Sequence, residues 1–361
     1  MTSVRKNVAF LVEQHVDDSE FKVPLTALRQ AGAEVTVLGS RMDEQYEGQH
    51  GRILVTPDGT TTEARASDYD AVIIPGGMAP DIMRTNMKTV RFVQEAMRLG
   101  KVVAAVCHGP QVLIEGDLLR GRRATGFRAV RKDMVNAGCQ YVNEPCVVDG
   151  NLITSRHAGD LPIFSTAVLR KLDLGLPIRG VALPELNNLN AEWWKLGEEW
   201  GGSTRDEILS GVNAAIHGER WALSAFERYA EKADDPALRS LFGEICATKQ
   251  MHVNLLQGRL TALGGREVGK GPGALQKVKT LFQSSDDISL LRRALGDLQA
   301  GVVDAANLNV KFTDPATAEV FRRIEIDLAK HERMVGDVYR SKVGAAQPRP
   351  AVPSDGASLG A

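Results

Sequence analysis

"KVVAAVCHGPQVLIEG", residues 101–116, decides the fold class. Its first six residues form a run of β-branched and small side chains broken only by Lys101, the pattern of a strand covered on both faces. Cys107-His108-Gly109 follows, and Pro110 opens a helical stretch, because proline's missing N–H and fixed φ suit a first helical turn. The thiol therefore stands on the corner between a buried strand and a helix, where a side chain is aimed away from the sheet. Working outward, "NVAFLV" (7–12), "EVTVLGS" (34–40) and "YDAVIIPGG" (69–77) read as further strands. Between them lie helical patterns at "EFKVPLTALRQAG" (20–32), with Gly32 as a stop, "TVRFVQEAMRLG" (89–100) and "DLPIFSTAVLRKL" (160–172). "GRILVTPDGTTTEA" (51–64) reads as a hairpin or short extended excursion, and "CVVDGNLITSR" (146–156) as a hairpin turning on Asp149-Gly150. Strands alternating with helices predict an α/β domain: a mostly parallel sheet sandwiched between helices.

Composition narrows the function class. The chain has 361 residues, 43% hydrophobic and 25% charged, which predicts a soluble protein of two domains. A net charge of −1 gives no electrostatic case for a nucleic-acid partner. No apolar stretch reaches the length of a membrane span, and the first residues lack a signal peptide's apolar core. Cys107, Cys139, Cys146 and Cys246 are too few for a disulfide framework in so long a chain. A cytoplasmic location with reduced thiols follows, with Cys139, Cys146 and Cys246 read as packing residues.

The pattern changes after residue 175. Residues 176–203 hold prolines, glycines and Trp193, Trp194 and Trp200, and read as a linker with a short docked helix. From Thr204 the chain reads as long helices near 204–232, 236–263, 286–312 and 314–341. Asp235-Pro236 and Asp314-Pro315 serve as start signals. Four such helices predict a bundle over 204–343. The tail 344–361 has a disordered composition, and the basic stretch "KGPGALQKVKTLF" (270–282) reads as a solvated loop rather than a binding patch.

In open parallel sheets, ligands bind beyond the carboxyl ends of the strands. Two strand ends carry unusual chemistry here: Pro75-Gly76-Gly77 and Cys107-His108-Gly109. A free thiol titrates near roughly 8.5, and helix N-terminal amides favour its anion, so the corner is expected to lower the value for Cys107. Gly76 and Gly77 let the backbone approach a reacting carbonyl, and the amides of Gly77 and His108 are candidate oxyanion donors.

Four stretches carry a resemblance: "DDSEFKVP" (17–24), "VIIPGGMAPDIMR" (72–84), "AVCHGPQVLIEGDLLRGRRAT" (105–125) and "LITSRHAGDLPIF" (152–164). In this order they resemble the PfpI family within the DJ-type superfamily, over residues 5–172. That resemblance implies a flavodoxin-like sheet of the class I glutamine amidotransferase type with a nucleophile-elbow cysteine. It implies Cys107 as nucleophile and Glu20 as the carboxyl that bonds the thiol and exchanges protons with substrate. It also implies His108 as a candidate base, and Asp81 as the acid that approaches His108 from a neighbouring subunit in a homo-oligomer. His157 and His15 are candidates to border the pocket. For each there is a plain structural alternative: a small apolar packing residue for Cys107, a helix cap for Glu20, a solvent-facing turn residue for His108, a structural acid for Asp81, and ordinary loop residues for His15 and His157.

The implied activity is glutathione-independent glyoxalase or deglycase chemistry on a small reactive carbonyl or glycated substrate, with no cofactor. A cysteine peptidase and a redox sensor or chaperone, in which Cys107 oxidises to a sulfinic acid, are the alternatives.

Residues 204–341 resemble a ferritin-like bundle. Di-iron bundles of that type need a Glu on each of two helices and Glu-x-x-His on each of the other two. His252 and His331 are placed for the motif, but Lys249 and Leu328 stand where its carboxylates belong. Glu219 and Asp304 read as remnants, and Glu244, Glu325 and Asp327 as substitutes at other spacings. A metal-free bundle is expected, acting as a scaffold for oligomerisation or docking.

Overall fold

The computed structural model describes residues 5–175, 183–268 and 286–346. Eleven strands are assigned among the described residues: β1 (Asn7–Leu11), β2 (Glu34–Gly39), β3 (Tyr46–Glu47), β4 (Leu54–Val55), β5 (Gly59–Thr60), β6 (Ala71–Ile74), β7 (Val102–Val106), β8 (Arg123–Ala124), β9 (Gln140–Tyr141), β10 (Cys146–Asp149) and β11 (Leu152–Ser155). The helices of the first half are α1 (Asp18–Gln30), α2 (Ala79–Met83), α3 (Met87–Arg98), α4 (Pro110–Glu115), α5 (Arg131–Asn136) and α6 (Leu161–Lys171). Then come α7 (Trp193–Glu199) and the long helices α8 (Arg205–Lys232), α9 (Pro236–Ala262), α10 (Asp287–Lys311) and α11 (Pro315–Ala346).

Seven strands form one sheet in the order β10-β11-β7-β6-β1-β2-β5. All neighbours in it run parallel except β10 against β11. Its central strands are buried on both faces, from Val8 to Leu11, Ala71 to Ile74 and Val102 to Val106. Residues facing both ways are therefore apolar, which is why the sequence shows runs rather than alternation. Gly150, at φ 62°, turns the β10–β11 hairpin as its Asp-Gly pair predicts. The 51–64 stretch divides: Leu54–Val55 pairs with Tyr46–Glu47 in a separate two-stranded sheet, and Gly59–Thr60 extends the main sheet beside β2.

From β1 the chain steps one way to β2 and the other way to β6 and β7. The carboxyl ends of β1, β6 and β7 therefore surround a topological switch point, where such sheets bind ligands.

By contacts the chain divides into two compact units, each described by itself. Among the described residues, one takes in 5–175, 183–212, 262–265 and 306–322; the other takes in 213–261, 266–268, 286–305 and 323–346. In the first unit the stretch after the sheet is packed: Trp193, Leu196 and Trp200 join the core cluster of the α/β domain, and the Trp193 indole N–H donates to the Asn188 carbonyl at 2.7 Å. Asp314 caps α11 in that unit, accepting from the Thr317 amide at 3.0 Å, as its Asp-Pro signal predicts. The second unit is helical, built from the greater parts of α8 to α11. α11 continues through Ala346, past the expected start of the tail at 344. Residues 176–182 of the expected linker, 270–282 of the basic stretch and 347–361 of the tail lie outside the described residues. Among the described residues no helix is long and apolar enough to cross a membrane.

Candidate active site around Cys107

Cys107 sits at φ 61°, a left-handed backbone that costs a non-glycine residue about 1–2 kcal/mol. The corner is held from three sides. Its amide donates to the Ser155 carbonyl at the end of β11 (3.0 Å), its carbonyl accepts from the Phe127 amide (2.8 Å), and the Gly109 amide closes the turn on Val106 (2.7 Å). A side chain at Gly109 would put its Cβ 2.6 Å from the Ile74 carbonyl oxygen, so only glycine lets β6 and the start of α4 approach this closely.

Glu20 reaches the thiol from the first turn of α1. Its carboxyl is buried, hydrogen-bonds the Cys107 thiol, and accepts the Gly76 amide at 2.9 Å through Oε2. A Cβ at Gly76 would lie 2.4 Å from Glu20 Oε2 and 2.7 Å from Cys107 Cβ, so the glycine makes room for this pair. The Gly76 N–H is committed to Glu20 and does not face a substrate. The Gly77 N–H instead bonds the Cys107 sulfur, and the His108 amide makes no hydrogen bond among the described residues.

The electrostatics reverse one expectation from sequence. Burial pushes the Cys107 thiol well up, and the charge and hydrogen bond of Glu20 and the charge of Asp17 add to it; only the Gly77 N–H opposes them. α4, whose N-terminal amides were expected to favour the thiolate, has only six residues. Glu20 is also raised well above the usual carboxylate range, by burial first and Asp17 second, against hydrogen bonds from Cys107 and the Gly76 amide. The pocket resists two adjacent anions, so carboxyl and thiol titrate as one unit holding a proton between them.

This has a consequence for stability. Glu20 holds a proton in the folded chain that the unfolded chain releases near pH 4.5. A raised value gives stability that is full below the unfolded value and is lost as pH rises through the folded one. Glu20→Gln cannot ionise. The stability of wild type minus that of Glu20→Gln should therefore fall from about pH 4.5 upward, as read by denaturant titration at several pH values. A difference that grows in favour of wild type would contradict the protonated pair.

The other sequence candidates sit differently. The His108 ring is partly buried, with Nδ1 3.1 Å from the Gly77 carbonyl oxygen and its face 5.0 Å from Phe127 in an edge contact. Burial lowers its value, against the Gly77 carbonyl and Asp81, and the imidazole is not among the groups acting on the thiol. Asp81 is exposed on α2 and acts on His108 only through its charge. His157 follows β11 and makes its polar contacts within its own loop. It is buried, its Nδ1 accepts the Gly159 amide at 3.2 Å, and Nε2 lies 3.7 Å from Asp160, so it belongs to the buried Arg156–Asp160 pair. His15 is exposed at φ 61°; its carbonyl accepts the Met78 amide at 2.9 Å and so joins the β1 exit to the Gly77 turn. Cys139, Cys146 and Cys246 are free thiols, each pushed up by burial.

Two residues were not singled out from sequence. Asp17 caps α1 through the amides of Ser19 (2.9 Å) and Glu20 (3.1 Å), fixing the turn that presents Glu20. Asp18 is buried and accepts the amides of His50 (2.9 Å), Arg52 (2.7 Å) and Ile53 (3.1 Å), tying the loop after β3 to α1. The available signal was a pair of acids immediately before a helical pattern.

In the second unit, Glu219 from α8 meets Lys249 and His252 from α9, and His252 also faces Asp327 of α11. Asp304 and Glu244 are exposed, and the Glu244 carboxylate lies 3.7 Å from Lys330. Glu325 is half-buried. His331 bonds the Thr248 hydroxyl through Nε2 at 2.9 Å. Among the described residues no three His, Cys, Asp or Glu side chains are grouped to hold a metal ion.

Comparison with known proteins places these features in context. The DJ-1/PfpI family model matches residues 6–171. A Bacillus subtilis protein whose name proposes a cysteine protease is 39% identical over 167 residues, 46% of this chain and 98% of its own length. "Protein/nucleic acid deglycase 2" of Escherichia coli is 38% identical over 168 residues, again 46% of this chain and 98% of its own. A crystal structure of a two-domain protein from Anabaena variabilis, described as containing DJ-1/ThiJ/PfpI-like and ferritin-like domains, is 52% identical with a TM-score of 0.86. It covers 98% of this chain and 100% of that one.

Proposed function

The chain belongs to the DJ-1/PfpI family through its first 171 residues, and on that premise we propose that it is a cysteine-dependent enzyme converting small reactive 2-oxoaldehydes to 2-hydroxyacids without glutathione. The observation that carries this reading is the Cys107 thiol held against the buried Glu20 carboxyl at the sheet's switch point.

With methylglyoxal as substrate, the Cys107 sulfur adds to the aldehyde carbon while the proton shared with Glu20 moves to the aldehyde oxygen, giving a hemithioacetal. The His108 amide, which makes no hydrogen bond among the described residues, is the donor we assign to the developing oxyanion. Glu20 then takes the hydrogen on C1 as a proton, leaving an enediolate, and returns a proton to C2. The product is a lactoyl thioester, which water cleaves to lactate and the free thiol. A base with raised proton affinity suits both transfers, because it can hold the proton between steps. The deglycase name of the Escherichia coli relative fits the same chemistry on a carbonyl already attached to an amine or thiol. A carboxyl rather than an imidazole partner for the thiol favours these small carbonyls over peptide bonds.

The purified full chain should form lactate from methylglyoxal with no glutathione present, and Cys107→Ala should form none above the uncatalysed rate. Equal turnover in the two proteins would overturn the reading.

A further inference from the structure

The ferritin-like resemblance brings a metal centre with it, and the donor set here does not fit one. Carrier bundles direct carboxylates from four helices, two of them in Glu-x-x-His motifs, at a shared pair of ions. The first of these motif positions holds Lys249, whose side chain is 2% exposed, and the second holds the fully buried Leu328. The third-helix acid, Asp304, is exposed. The carboxylates that remain do not converge. His252 Nδ1 lies 3.1 Å from Glu219 and its Nε2 lies 3.4 Å from Asp327, so the two acids sit on opposite edges of one ring.

We infer that Lys249 is the resident cation of this bundle: its ammonium supplies the positive charge that a metal supplies in carrier bundles, and Glu219 and His252 serve as its partners rather than as metal ligands. The ammonium lies 3.1 Å from Glu219 Oε1, while Glu219 Oε2 takes His252, so both carboxylate oxygens are committed. Burial pushes Glu219 up, but the His252 hydrogen bond and the Lys249 charge outweigh it and hold the carboxyl below its usual range. The far end of the network closes on a second cation, with Arg323 Nε 2.8 Å from the same Asp327 oxygen that faces His252. On α10, Gly301 keeps the space open: a Cβ there would lie 3.0 Å from a Leu328 methyl and 3.9 Å from the Lys249 nitrogen. Acids and bases thus alternate across three helices. A buried ammonium is tolerated only when it is paired in this way, and removing one member leaves the other charge buried and uncompensated.

The inference does not depend on the activity of Cys107, and its test has no catalytic readout. Wild type, Lys249→Met and Lys249→Arg of the full chain are each incubated with excess Mn²⁺, Fe²⁺ or Zn²⁺ and dialysed. Metal content and melting temperature are then measured. Wild type is expected to retain no stoichiometric metal and to melt at the same temperature with and without it. Lys249→Met should melt roughly 5–15 °C lower, and Lys249→Arg, which keeps the charge, should recover most of that loss. Stoichiometric metal in wild type, or a Lys249→Met protein as stable as wild type, would overturn the assignment. Should Lys249→Met fail to fold, the wild-type metal measurement and Lys249→Arg still decide it.

Discussion

Glu20→Gln is expected to lower methylglyoxal turnover by about a hundred- to ten-thousand-fold, the range over which a positioned acid–base group contributes. Glutamine keeps the length of the side chain, and its amide oxygen can still accept the Gly76 amide, which Glu20 accepts at 2.9 Å. What it cannot do is hold and return a proton. The loss should therefore fall mainly on kcat, because the proton transfers at C1 and C2 that need the carboxyl follow the addition of the sulfur. A melting temperature measured alongside separates lost chemistry from lost folding. Turnover within about threefold of wild type would mean that another group moves the proton. His108 would be the next candidate, although its imidazole does not act on the thiol in the single chain.

The second large effect concerns stability. Arg156 and Asp160 form a buried bidentate pair, with Nε to Oδ2 at 2.8 Å and Nη2 to Oδ1 at 3.1 Å; Asp160 is fully buried. Arg156 directly follows Ser155, whose carbonyl anchors the Cys107 amide. Asp160→Ala leaves a guanidinium buried without its partner and is expected to cost about 3–5 kcal/mol in urea unfolding. Replacing both residues, as in Arg156→Met with Asp160→Leu, should recover part of that loss, because an apolar pair avoids the desolvation of two ions. A single-variant cost below about 1 kcal/mol would show the pair to be solvent-screened in solution.

The architecture around the thiol was legible in the sequence because it depends on local patterns. Unbroken apolar runs report two-sided burial, and Cys-His-Gly-Pro reports a corner, which appears as the positive φ of Cys107. The proton affinity of that thiol was not legible. It depends on Glu20 and Asp17, which lie more than eighty residues away in the chain and press negative charge on the sulfur. The corner's amides alone suggested the opposite direction. The partners of His157 were not legible for a related reason: the ring is buried beside the Arg156–Asp160 pair, whose pairing appears only in the folded chain. Gly76 was read as facing a substrate, yet its amide serves Glu20. In the bundle, the substitution of Lys249 for a motif carboxylate was visible in sequence, but the destination of its ammonium appears only in the packing of α8 against α9.

The central claim is that Cys107 and Glu20 work as one proton-transfer unit on a 2-oxoaldehyde, and its most direct test is the fate of the C1 hydrogen. Methylglyoxal is converted by the full chain in D₂O without glutathione, and the lactate is examined by NMR for deuterium at C2. Lactate carrying deuterium at C2 is expected, because the proton held by Glu20 exchanges with solvent before it is returned. Lactate that keeps the original hydrogen at C2 and is formed at the same rate by Glu20→Gln would indicate a hydride shift that bypasses the carboxyl, and would contradict the claim.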